Sequence, residues 1–193
     1  DDRAIESASL GIDWLLGLQN RDGGIATFCR GWGQLPFDRS SQDLTAHALL
    51  AFTAWQEKLA EPLQIRVKIA ITKGLKYLRK KQAANGSFAP LWFGNQHESD
   101  EDNPVYGTGR VLLALNGLKD RSAVVDMITQ AEDWLLSIQN KDGGWGGNSG
   151  CPSSLEETAL AIDALSANPA PGKRALKALE MAVTWIAKET NSG

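Results

Sequence analysis

An all-α fold, built from helical hairpins as an α/α toroid or part of one (a partial α-α barrel), is what this 193-residue sequence predicts. Two observations carry that expectation. A short block recurs three times along the chain, and a second, almost wholly apolar block follows each copy. The first block carries its apolar residues at a helical period.

The first block reads Trp14-Leu-Leu-Gly-Leu-Gln-Asn-Arg-Asp-Gly-Gly-Ile25, then Tyr77-Leu-Arg-Lys-Lys-Gln-Ala-Ala-Asn-Gly-Ser-Phe88, then Trp134-Leu-Leu-Ser-Ile-Gln-Asn-Lys-Asp-Gly-Gly-Trp145. In each, an aromatic residue stands five positions before a glutamine (Gln19, Gln82, Gln139) and a glycine four positions after it (Gly23, Gly86, Gly143). Apolar residues at Ile5, Ala8, Ile12, Leu15 and Leu16 follow the helical period, as do Ile69, Leu75 and Leu78, and Val124, Met127, Ala131, Leu135 and Ile138. The glycines supply a stop at each helix C-terminus. The second block runs Asp43 to Phe52, Tyr106 to Leu115 and Glu156 to Leu165, with Thr45, Thr108 and Thr158 equivalent. Ser40, Ser41 or Asp43, then Asn103-Pro104, then Ser153 and Ser154 offer cap chemistry for these helices. The glutamine-to-threonine separations are 26, 26 and 19 residues, so the loop between the blocks is the adjustable part.

One-sided helices alternating with helices apolar all round predict two concentric layers, three helices inside and four outside. The chain reads as a single segment, 1–193, with repeats at about 4–60, 66–118, 121–168 and 173–193. The last copy, starting at Trp185, stops at Gly193, which suggests a fragment of a longer chain. A cut edge is expected to be apolar and to favour self-association, a homo-oligomer held through that edge, because contiguous apolar surface tends to find a partner.

A net charge of -3, with acidic and basic residues interspersed, gives no footprint for a phosphate backbone, so nucleic acid is not an expected partner. Cys29 and Cys151 have neither metal-site nor disulfide-framework spacing and suit a reducing compartment or a chain indifferent to redox. No apolar run approaches the ~20 residues that span a bilayer. A cytoplasmic location is expected.

Gln139-Asn-Lys-Asp-Gly-Gly-Trp145 matches a Q-x-x-x-G-G-W repeat, and through it the chain resembles the squalene-hopene and oxidosqualene cyclases, the QW-repeat class II terpene cyclases. The resemblance implies a bracing role for Gln19, Gln82, Gln139, Gly143, Gly144 and Trp145, the glutamine tying an outer helix to the next repeat. Ile25 and Phe88 replace the tryptophan in the first two copies, where weaker stacking is expected. Ser41-Gln-Asp-Leu-Thr-Ala-His-Ala-Leu49 is similar to the family segment S-x-D-V-T-A-H-V-L. That likeness implies that His47 assists the acid that protonates an alkene and that Asp43, four residues earlier on the same helix face, orients it. The alternative is a helix-starting carboxylate beside a polar histidine. Phe88-Ala-Pro-Leu-Trp-Phe-Gly94 followed by Tyr106-Gly-Thr-Gly109 is similar to the family's cavity-facing aromatics, which makes Trp92 and Tyr106 the candidates for stabilising carbocations. An aromatic face contributes roughly 0.5 to 2 kcal/mol to a nearby cation without offering a nucleophile. Ordinary core packing is the competing reading.

The acid motif of the family, D-x-D-D, does not occur here; Asp100-Glu-Asp-Asn103 is a near miss in a polar loop that ends at Pro104. By resemblance the motif lies just upstream of Asp1. The segment alone is therefore expected to be inactive, whereas the full-length protein would cyclise a linear polyprenyl (squalene-like) molecule, with the missing repeats as partners and a peripheral membrane contact. No cofactor and no metal are expected. Protein prenyltransferase β subunits share the architecture but need a zinc set, and Cys29, Cys151, His47 and His97 lie in unrelated repeat positions. Thioester domains need a Gly-Cys-Gly-Glu-Gln sequence, for which Gly150-Cys-Pro is no substitute. The serious rival is a non-catalytic toroid that binds a lipid or a protein.

Overall fold

Seven α-helices form the chain in the computed structural model, which describes residues 2–31 and 33–191. They are α1 (Asp2–Leu18), α2 (Gln42–Trp55), α3 (Glu61–Lys81), α4 (Pro104–Asn116), α5 (Val125–Ser137), α6 (Leu155–Ser166) and α7 (Lys173–Asn191). A single 3-10 turn, Gln56–Lys58, joins α2 to the approach to α3. One feature is not all-α: β1 (Ile25–Ala26) pairs antiparallel with β2 (Ser40–Ser41), closing the base of the first long loop. Two-residue strands are too short to leave a period in the sequence.

Burial separates the layers. Ten of the 13 residues of α4 are buried, against five of the 21 in α3. Helices α2, α4 and α6 lie side by side with α4 in the middle, while α3, α5 and α7 back onto α2, α4 and α6. The main core runs through Leu49, Leu78, Phe88, Leu112, Leu115, Leu135, Trp145 and Leu165. A second cluster, with Ile12, Leu18, Phe52 and Val67, joins α1 to α2 and α3. Ile69 departs from the expected apolar stripe: α3 buries Val67, Ala70, Gly74, Tyr77 and Leu78 instead, and Ile69 stays exposed.

The caps differ among the inner helices. Asn103 accepts from the N–H of Tyr106 at 3.0 Å and Pro104 occupies the first turn of α4, where its missing N–H costs nothing. Ser154 accepts from the N–H of Glu157 at 3.1 Å at the start of α6. Ser41 precedes α2 but makes no such bond; its hydroxyl donates to the Asp43 carboxylate.

The three turns are built alike. Nε2 of Gln19, Gln82 and Gln139 donates to the carbonyls of Gly23, Gly86 and Gly143 at 2.8 to 3.0 Å. The second proton of each amide reaches the next outer helix, at Ala70, Met127 and Ala178. Gly23, Gly86 and Gly143 have φ of +96°, +95° and +100°, and a Cβ there would stand 2.3 to 2.8 Å from the carbonyl of Lys73, Gln130 or Met181. Both the backbone angle and the close approach therefore require glycine. Gly144 is similarly tight, since a Cβ would lie 2.6 Å from that of Ser153. Trp145 is fully buried and donates from Nε1 to the Leu135 carbonyl at 2.9 Å, tying the third turn to the end of α5; the side chains of Ile25 and Phe88 are buried at the equivalent place but have no such donor.

Candidate functional site

Each inner helix is rotated into place by its threonine. Thr45, Thr108 and Thr158 accept, at 2.9 Å, the backbone N–H of Ile25, Phe88 and Trp145. Residues two positions before and two after a helical residue lie roughly 200° round the axis from it and share one face. With each threonine turned to its loop, the opposite face presents Asp43 and His47 on α2, Tyr106 and Arg110 on α4, and Glu156 and Leu160 on α6. These three pairs stand at equivalent positions on adjacent helices.

Asp43 is buried; one carboxylate oxygen accepts from the Ser41 hydroxyl, and the other has no hydrogen-bond partner among the described residues. No hydrogen bond joins Asp43 to His47 among those residues, so their coupling is through space. Burial depresses the His47 pKa below its ordinary value, and the Arg110 guanidinium depresses it further, while Asp43 works in the opposite sense. The residue as a whole is nevertheless exposed, so the burial falls on its ring environment and leaves a solvent-facing side. Arg110 Nε is buried without a partner.

Tyr106 is buried, with Phe93 stacked on it at 3.8 Å between ring centroids and 19° between planes. The Arg110 guanidinium stands 5.2 Å from the centre of the same ring. Burial raises the Tyr106 pKa, opposed by Arg110. Trp92 lies apart from this group: its side chain is half exposed, and Nε1 donates to Thr27 Oγ1 at 2.6 Å, linking the two long loops. The site therefore joins Asp43, His47 and Tyr106 and adds Arg110 and Phe93. The threonine register was the available signal for Arg110, two residues after Thr108 as His47 is two after Thr45.

The acidic loop packs on the third repeat. Asn95 Nδ2 donates to Cys151 Sγ at 3.2 Å, and the N–H of Val105 reaches the Gly147 carbonyl at 3.1 Å. Glu157 accepts from Asn103 Nδ2 at 2.9 Å, so it bridges two helix starts, while Glu156 is exposed. Among the described residues no cluster of three His, Cys, Asp or Glu side chains is arranged to hold a metal, and no helix is long and apolar enough to cross a membrane.

Residues 1–170 match the family model of the squalene-hopene cyclase C-terminal domain. The chain belongs to that family. It is 35% identical over 182 residues to a squalene-hopene cyclase of Bradyrhizobium diazoefficiens, a match covering 81% of this chain and 25% of the relative. It is 31% identical over 218 residues to a terpene cyclase-glycosyl transferase fusion protein of Humicola fuscoatra, covering 96% of this chain and 15% of that protein. Among solved structures, an ent-copalyl diphosphate synthase from Streptomyces platensis superposes with a TM-score of 0.73 at 22% identity, over 91% of this chain and 31% of the other. That likeness establishes the helical terpene cyclase fold. The chain thus spans about a quarter or less of the length of these curated relatives.

Proposed function

We propose that the full-length protein cyclises a linear, squalene-like polyprene, and that this segment supplies part of the cavity wall. What supports the reading is the meeting of Asp43, His47 and Tyr106 on one face of adjacent inner helices, in a member of a cyclase family. A carboxylic acid supplied by the rest of the protein would give its proton to a terminal alkene. The π electrons of that bond form the new C–H bond, leaving a tertiary carbocation that successive double bonds attack, until the last cation loses a proton to give a neutral cyclic product. His47, its pKa depressed, is neutral at pH 7 and offers a hydrogen bond to that acid. Asp43 orients it electrostatically, and Tyr106 presents π density to the advancing cation. A hydrocarbon substrate dissolved in lipid favours a cytoplasmic protein working against a membrane surface.

One observation favours a second reading, a toroid that binds a lipid or protein without reacting. Tyr106 already carries Phe93 on its ring and Arg110 beside it, and a fixed guanidinium repels a carbocation. Incubating the full-length protein with squalene, and reading products by mass beside a His47→Ala variant, separates the two. Cyclised product that falls at least about a hundredfold in the variant supports the acid-assisting role, that being the scale of general acid-base assistance. No product from any polyprene favours the binding toroid.

A further inference from the structure

The two long loops at the turn end of the inner helices differ in charge. The second lies beside a cavity of about 550 Å³ lined by Glu101, Glu156 and Glu157. The first, with the Gly23 turn, borders an open cleft of about 980 Å³ lined by Arg21, Arg30, Arg39 and Lys81. One carboxylate, Asp22, shares that lining, and its Oδ1 is already committed: it accepts from Ser40 Oγ at 2.6 Å and from the N–H of Gly24 at 3.0 Å.

None of the four cations forms an ion pair among the described residues. Arg39 spends one N–H on the Gln34 carbonyl, at 3.2 Å, and Lys81 lies 5.9 Å from the Tyr77 ring. Arg21 and Arg30 make no side-chain hydrogen bond among the described residues. The cavity wall itself is fixed. Asn20 Nδ2 donates to the Asp38 carbonyl and to Ser40 Oγ, Asp38 Oδ1 accepts from the N–H of Leu35, and β1 pairs with β2 beneath. Four cations on one lining with one engaged carboxylate, in a chain of net charge -3, form a local excess of positive charge. Guanidinium groups match the geometry of a phosphate with paired N–H donors.

We propose that this cavity binds a phosphate-class oxyanion, a phosphomonoester or diphosphate group, through Arg21, Arg30, Arg39 and Lys81. The lining shares no residue with the Asp43–His47–Tyr106 face, and the proposal does not rest on the cyclase reading.

Calorimetric titration of the chain with inorganic pyrophosphate at low ionic strength tests it. Saturable binding is expected, weakened at least about tenfold in R21Q/R30Q, since charged hydrogen bonds are among the stronger ones. Neither side chain has an ion pair or hydrogen bond to lose among the described residues, and circular dichroism checks that the fold is kept. A control, K68Q/K76Q, removes two exposed α3 cations away from the cavity and should leave the affinity unchanged. Vesicles of phosphatidylcholine with and without phosphatidic acid, whose headgroup is a phosphomonoester, identify the source. Binding to the anionic vesicles that R21Q/R30Q abolishes assigns a lipid headgroup, and pyrophosphate binding without vesicle binding assigns a soluble phosphate compound. Absence of pyrophosphate binding, or equal weakening in R21Q/R30Q and K68Q/K76Q, overturns the proposal.

Discussion

Gln139 donates from Nε2 to the carbonyl of Ala178, 2.9 Å away on α7 and 39 residues downstream, while its other proton holds Gly143 within its own turn. One amide thus closes a turn and clamps the neighbouring outer helix onto it. Gln139→Leu removes both bonds and leaves a partly buried carbonyl on each side. At about 1 kcal/mol per bond the loss is about 2 kcal/mol, and for a chain of this size the melting midpoint should fall by about 6 °C. A thermal melt that stays within one degree of the parent would show that the clamp carries no stability.

Thr108 makes a sharper case because both partners are fully buried. Its Oγ1 accepts the Phe88 N–H at 2.9 Å, and Thr108→Val keeps the shape while stranding that donor. A stranded buried donor costs about 1 to 3 kcal/mol. Thr108→Ser, which keeps the acceptor, should cost less than the valine variant in urea unfolding; equal losses would assign the site to packing of the methyl group alone.

The repeat was legible because it is repeated chemistry: a glutamine, a glycine and a threonine that recur at fixed positions make the same bonds three times. Helix order and layering followed from composition, since α4 is apolar all round and α3 is not. Less was legible where one residue acts once. Ser41 looked like a cap, but its hydroxyl donates to the neighbouring Asp43 carboxylate and no backbone N–H of α2 reaches it. Phe93, rather than Trp92, stacks on Tyr106, because the direction in which a loop side chain points is set by loop closure and not by a period. Arg110 was hidden among apolar neighbours, and only the alignment of threonines puts it beside His47.

Equivalent aromatic residues on the four outer helices meet different surroundings. Tyr77, Trp134 and Trp185 are 2%, 7% and 9% exposed, whereas Trp14 is 62% exposed. A glycine turn rests on α3, α5 and α7 four residues before the aromatic, but Leu10, four residues before Trp14, is 70% exposed. Trp134→Ala should therefore cost about 3 to 5 kcal/mol, and Trp14→Ala no more than about 0.5 kcal/mol, both read by urea unfolding. A large loss at Trp14 would mean that the α1 face is covered in solution, and sedimentation of the parent chain at rising concentration would then show the second copy that covers it.

His47 reports the electrostatics of the concave face, and with His97 as the one other histidine its ring resonances are readily assigned. Burial first, and Arg110 second, hold its pKa below 6.5, with Asp43 pulling upward. Arg110→Gln should raise the pKa and Asp43→Asn should lower it, both measured from imidazole proton shifts against pH. The linkage has a definite sign. Because the folded pKa is the lower one, the unfolded chain binds the proton more readily below about pH 6.5. This group's contribution to stability is then complete above that pH and is lost as pH falls toward the folded value. Arg110→Gln narrows the gap and should flatten that part of the stability curve. A His47 pKa unmoved by Arg110→Gln would mean that solvent screens the guanidinium from the imidazole, and burial alone would then account for a neutral His47 at pH 7.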